Sequence, residues 1–185
     1  MGKMILASSS PRRAEILKDY KLEIIPSPYV EQHTKTAFSY SYVEDLAYNK
    51  ALAVVPLVQE ESLIVGADTV VILGDEILEK PLDEEDAFLM LKKLSGKTHS
   101  VVTSIAIINS KSKEYKINST TSNVTFKVLS DELILSYIKD YKPLDKAGSY
   151  GIQELPDGFI ENVEGDLENI IGISSKSFEK LLKEF

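Results

Sequence analysis

One stretch restricts the fold of this chain more than any other: residues 63–73, LIVGADTVVIL, an apolar and β-branched run that reads as a buried strand. Asp68 stands in its middle, flanked by Gly66, Ala67 and Val70. Burying a bare carboxylate is very costly, so this residue is hydrogen-bonded, ion-paired or metal-bound, or else it caps a turn that interrupts the strand. A strand this apolar belongs inside a sheet, and the flanking periodicities supply helices to cover it.

A second junction opens the chain, in LASSSPRR at residues 6–13. Ile5 and Leu6 close a short apolar run that suits a strand, three serines make a polar turn, and Pro11 follows Ser10 as at a helix N-cap and first turn. Such a junction gathers unpaired backbone N–H groups and the positive end of a helix dipole, to which Arg12 and Arg13 add two cations. The arrangement suits an anion, and the planar guanidinium fork matches phosphate oxygens. The same residues would equally make a surface helix start with solvated arginines.

The remaining elements follow by period and punctuation. Ile16, Leu17 and Tyr20 continue the first helix on one face, and residues 22–25 read as a short strand ending at Pro26. A loop over 27–36 carries Pro28, Glu31, Gln32 and His33. Residues 42–55 form a helical pattern stopped by Pro56, with Lys50 on its apolar face, either snorkelling to water or aimed into a cleft. Gly74-Asp75 supports a turn, 76–78 a returning strand, and Asp83 the N-cap of a helix that buries Ala87, Met90, Leu91 and Leu94 before Gly96. Residues 98–109 and 114–128 make a hairpin about a Ser-Lys-Ser-Lys turn, with Val124, Phe126 and Val128 on one side. A helix from Ser130 carries Leu133, Ile134, Tyr137, Ile138 and Tyr141 and stops at Pro143. The glycine-punctuated DKAGSYGIQ at 145–153 reads as a site loop, 159–163 as a last strand, and Phe178, Leu181, Leu182 and Phe185 as the apolar face of a final helix. Without repeats or linkers, residues 1–185 form one mixed α/β domain with a twisted central sheet and helices on both sides.

Composition narrows the function. A net charge of −8 argues against a polynucleotide partner, whose phosphates call for a basic face, but leaves room for a small polyphosphate held by a few local cations. No apolar run reaches the roughly 18 residues of a membrane span. MGKMILASSS is too short in its apolar part for a secretory signal, and the reading is of mature cytoplasmic sequence. The chain has no cysteine and two histidines, which removes disulfides and thiolate metal sites and makes a structural zinc site improbable.

The polar residues that sit oddly, beside turns, prolines or glycines, are Ser8, Arg12, Arg13, Glu31, Lys50, Asp68, Lys80, Asp145, Lys146 and Gln153. Carboxylates among oxygen-rich neighbours suit Mg²⁺ or Mn²⁺, and the lysines and arginines suit phosphoryl charge. In order and spacing, ASSSPRR, the helix ending in NKA, GADTVV, LEKP, LSGKTH and DKAGSYGIQ resemble the Maf-type nucleoside triphosphate pyrophosphatases along nearly the whole chain. The resemblance implies an elongated two-lobed α/β fold like that of the inosine triphosphate pyrophosphatases, usually as a homodimer. It also implies hydrolysis of a nucleoside triphosphate to monophosphate and pyrophosphate with a divalent cation. By the same resemblance Asp68 is the proton acceptor and Glu31 helps hold the metal. Ser8, Arg13, Lys50 and Lys80 then bind phosphates, and Arg12, Thr69 and Gln153 match positions associated with choice of base, carrying the residues of the branch that prefers dTTP and UTP.

One segment departs from the family pattern: Gly172, Ile173, Ser174 stands where relatives commonly read glycine, leucine, proline. Losing the proline is expected to loosen the start of the last helix. Two other functions compete. A nucleotide-binding regulator of septum formation with degenerate chemistry would not need Asp68 together with Lys50 and Lys80. A phosphomonoesterase would need a phosphoaspartate or histidine nucleophile motif, which the sequence lacks.

Overall fold

The structure, a computed structural model, describes residues 2–31 and 37–185; Gln32 and His33 of the expected loop lie outside the described residues. Among the described residues, strands β1 (Lys3–Leu6), β2 (Glu23–Ile24), β3 (Ser62–Leu73), β4 (Glu76–Leu78), β5 (Thr98–Asn109), β6 (Tyr115–Phe126) and β7 (Ile160–Glu164) form one sheet. Its order is β2-β1-β3-β5-β6-β7, with β4 paired to β3. The helices are α1 (Pro11–Ile16), α2 (Tyr40–Leu52), α3 (Glu84–Leu94), α4 (Asp131–Tyr141), α5 (Leu167–Ile171) and α6 (Ser175–Leu182).

Alternation along β3 sorts its side chains between two faces. Ile64, Val70 and Ile72 pack with Val43, Ala51 and Val54 from the α2 segment. On the opposite face Val65 and Ala67 meet Ile173, Phe178 and Leu181 about α6, while Val71 joins the cluster of α3 and α4 with Leu91, Leu94, Ile134 and Tyr137. Helices therefore cover both sides, and the core under the second face divides into two lobes. α2 lies unusually close to the sheet because Gly66 lacks a side chain: a Cβ there would stand 2.2 Å from the Ala47 carbonyl oxygen and 2.7 Å from the Ala51 nitrogen.

Several boundaries differ from the sequence reading. The first helix ends at Ile16, and a 3-10 turn over Lys18–Tyr20 follows, closed by Lys21 in the left-handed region at φ 52°. β6 stops at Phe126, where Lys127 donates its N–H to the Phe159 carbonyl, so Val128 leaves the sheet and is 87% exposed rather than facing inward. Met90 is half-buried, and Tyr141 and Phe185 are largely exposed. α5 has no counterpart in the sequence reading, since five residues are too few for a helical period to declare itself. The start of α6 is capped by a serine: the Ser174 hydroxyl accepts from the Ser177 N–H at 3.1 Å and donates to Asp166 Oδ2.

Candidate active site

β3 is shared between two neighbours on one edge. Its first residues pair in parallel with β1 as far as Val65, and its last pair antiparallel with β4 from Val71 onward. Residues 66–70 thus have a strand partner only on the β5 side, and the chain leaving β1 and the chain leaving β4 wall the gap with Ser8 and Lys80. The gap opens into a cleft of about 490 Å³, lined by Ser8, Arg12, Arg13, Glu31, Lys50, Asp68, Thr69, Lys80 and Gln153 among others. Every residue singled out from the sequence reaches this one cleft.

Asp68 projects to the α2 face, where the Lys50 ammonium donates to its Oδ1 and also pairs with Glu31 Oε1 at 2.6 Å. Lys50 therefore points into the cleft and does not snorkel to water. The glycine at position 66 permits this by letting α2 settle on the strand. Burial pushes the Asp68 carboxyl above its ordinary value, against the pull of Lys50 and Arg13 and with Glu31 adding to the rise. The loop bearing Glu31 is tied to α2 by the Ser27 hydroxyl, which donates to the Lys50 carbonyl at 2.7 Å.

Arg13 comes from the opposite side. Ser10 caps α1 by accepting the Arg13 N–H, and the Ser8 hydroxyl accepts the Ser10 N–H at 3.1 Å, so the serine turn fixes where the helix begins. The guanidinium donates from Nε to the Gly172 carbonyl at 2.8 Å, from Nη1 to Ser8 Oγ at 3.4 Å and from Nη2 to Thr69 Oγ1 at 3.1 Å. Of its five N–H groups two remain, one on each terminal nitrogen, which is what a bidentate phosphate contact needs. Burial pulls the Arg13 pKa down, partly offset by Asp68. The guanidinium remains a cation.

Thr69, the neighbour of Asp68, faces the other side of the sheet, and its hydroxyl meets Arg13, Thr103 Oγ1 at 2.8 Å and the Gly172 carbonyl at 3.3 Å. No hydrogen bond joins it to Arg12 or Gln153 among the described residues. Lys80 is exposed and carries no ion pair among the described residues, which leaves its ammonium available to a ligand. Gln153 sits on a short 3-10 turn, Ile152–Glu154, with its side chain exposed at the cleft. The loop beneath it is held by the Gly148 N–H to the Glu79 carbonyl at 3.2 Å and by the Gly151 N–H to the Tyr137 hydroxyl at 3.1 Å. Lys146, 8% exposed, lies between Asp145 at 2.9 Å and Glu154 at 3.2 Å.

Glu31 and Asp68, brought within reach of one ammonium, are hard oxygen donors of the kind Mg²⁺ or Mn²⁺ takes. No group of three or more His, Cys, Asp or Glu side chains suited to a metal occurs among the described residues, so a cation here would complete its shell with phosphate oxygens and water. The donor set fits a metal carried in with a phosphate.

The sequence reading missed the Gly172 carbonyl, Thr103 and Tyr150, which borders the cleft and hydrogen-bonds inward to His99 at 2.6 Å. Thr103 had a detectable signal. Thr103-Ser104 are the polar pair within an apolar strand, and they lie directly opposite Thr69 and Asp68.

The family model described as Maf-like protein matches residues 3–185. A dTTP/UTP pyrophosphatase of Thermoanaerobacter sp. (strain X514) is 41% identical over 186 residues, covering 99% of this chain and 97% of the relative. One from Thermosipho africanus (strain TCF52B) is 46% identical over 174 residues, covering 92% and 87%. A Mycobacterium abscessus nucleoside-triphosphatase, a dITP/XTP pyrophosphatase, shares the fold with a TM-score of 0.50 at 14% identity, over 99% of this chain and 94% of that one.

Proposed function

The chain belongs to the Maf-like protein family, and from that premise we propose that it is a nucleoside triphosphate pyrophosphatase acting on dTTP and UTP. The observation that carries the reading is the pairing of a buried Asp68 with Lys50 at the gap in the sheet, facing an Arg13 whose two spare N–H groups open on the same cleft. A pure binding protein has no use for a carboxylate made more basic by burial.

In the reaction, a water beside Asp68 gives up its proton to the carboxylate as its oxygen attacks the α phosphorus. The bond from that phosphorus to the bridging oxygen breaks, and pyrophosphate leaves with its charge met by Arg13, Lys80 and Ser8. Lys50 keeps Glu31 and Asp68 together against their mutual repulsion. Glu31 and Asp68 would hold Mg²⁺ or Mn²⁺, which supplies charge neutralisation at the phosphates and makes a bound water more acidic. Gln153 offers an amide donor and a carbonyl acceptor to the alternating edge of uracil or thymine, and Arg12 lines the same cleft.

The assembly we propose is a homodimer, in line with the family resemblance, and the compartment the cytoplasm, with which the lack of cysteine agrees. Light scattering on the purified protein tests the first. The chemistry is tested by turnover of UTP and dTTP in ¹⁸O-water with Mg²⁺: label is expected in the monophosphate, and label confined to pyrophosphate would overturn attack at the α phosphorus.

A further inference from the structure

We propose that Thr103, which is buried at 1% exposure and lies off the cleft wall, is a positioning residue for the phosphate grip: it orients the Thr69 hydroxyl and thereby holds the Arg13 guanidinium. Its effect on turnover rests on the pyrophosphatase reading. Its effect on Arg13 does not.

Each hydroxyl has one proton to give, and this fixes the direction of the network. Thr103 Oγ1 donates to the Asn169 carbonyl at 2.9 Å, which leaves its lone pairs toward Thr69. Thr69 Oγ1 can donate either to Thr103 at 2.8 Å or to the Gly172 carbonyl at 3.3 Å, and the shorter contact takes the proton. A lone pair of Thr69 is then turned to Arg13 Nη2. The result is a one-way chain from Arg13 through Thr69 and Thr103 to a carbonyl of α5. Turned instead to the Gly172 carbonyl, the Thr69 proton would share that oxygen with Arg13 Nε.

The far end of the chain is rigid. Asn169 is fully buried, and its amide donates to the Val101 carbonyl and to Ser122 Oγ, both at 3.0 Å, tying α5 to β5 and β6. Three residues later the Gly172 carbonyl receives Arg13 Nε, so both sides of the guanidinium are referred to one clamped segment. Gly172 adopts φ 142°, a conformation open to glycine, which turns that carbonyl away from the end of α5. Two facing valines would fill the place of Thr69 and Thr103 without needing any partner, so packing alone does not account for the two hydroxyls. Arg13 does.

The test compares Thr103→Val with Thr103→Ser. Arg13 Nε–H, identified by its loss in Arg13→Lys, is followed by NMR for solvent exchange in the ligand-free protein, and kcat/KM is measured for UTP with Mg²⁺. The valine variant should exchange this proton at least about tenfold faster and lose about tenfold in kcat/KM, the scale of one hydrogen bond to a charged group, while serine stays within about twofold of the parent. Should valine fail to fold, Thr103→Cys keeps the volume with a much weaker donor and carries the same two readouts. Unchanged exchange overturns the proposal, as does faster exchange with undiminished kcat/KM in an active enzyme. A parent that hydrolyses no nucleoside triphosphate overturns the functional reading instead, and Nε–H exchange then still decides whether Thr103 holds Arg13.

Discussion

His99 should make this protein lose stability in mild acid by an amount that can be worked out in advance. The ring is 2% exposed, edge-on to Phe126 and Tyr150 with centroids 4.9 and 5.4 Å away, and its Nδ1 has no hydrogen-bond partner among the described residues. Burial pulls its pKa down to about 4. The unfolded chain has an ordinary histidine near 6.5, so between those values the unfolded state binds a proton that the native state refuses. A histidine depressed in the native state contributes its full stability above about pH 6.5 and loses it as the pH falls toward 4. At pH 5 the unfolded ring is almost fully charged and the native ring almost neutral, which gives a loss of about 2 kcal/mol relative to pH 7. Carboxylates also titrate in this range, and a His99→Gln variant, which keeps a donor and an acceptor toward Tyr150, removes their contribution by difference. Urea unfolding of both proteins at pH 7 and pH 5 is the assay. The parent should lose about 2 kcal/mol more than the variant across that interval. Equal losses would refute the claim that the native ring stays neutral.

Three further outcomes follow from the site and its supports. Asp68→Asn should fold normally by thermal unfolding yet lose about 10² to 10⁴ in kcat, and turnover above a tenth of the parent would remove Asp68 as the base. Gly66→Ala drives a methyl into the backbone of α2 and should cost at least about 3 kcal/mol in urea unfolding; a loss below about 1 kcal/mol would mean that α2 can lift off the strand freely. Gln153→Glu removes the amide donors and should depress kcat/KM for UTP more than for other triphosphates, by about tenfold or more; an equal effect on all of them would take Gln153 out of base recognition.

What could be read from the sequence was whatever a short window determines. The strand around Asp68 announces itself because a carboxylate in a β-branched run demands an explanation, and Ser10-Pro11, Asp83 and Ser130 mark helix starts through capping chemistry that is local. Most of the residues that line the cleft were likewise legible, since each stands out against its own neighbours, whereas Thr69 entered only through the family resemblance. Their partners were not. That Lys50 meets Asp68 depends on Gly66 admitting α2, and that Thr69 turns from Asp68 toward Arg13 depends on the pleat and on where β1 gives way to β4. Val128 was misread for a related reason: the alternation of β6 continues on paper past the point where Lys127 turns its N–H to Phe159. α5 left no periodic trace, although the glycine that ends it supplies the carbonyl on which Arg13 rests.

The bond from Arg13 to Gly172 spans 159 residues of chain. At usual synthesis rates the arginine waits on the order of ten to thirty seconds for its acceptor to be made. Until then the guanidinium has no anchor on that side, and the growing chain carries its phosphate-binding turn without the geometry to use it. The grip on that side therefore forms only once the chain has grown past Gly172. The same long closure places the site among the last parts of the molecule to form on refolding, after the β5–β6 hairpin and the local helices.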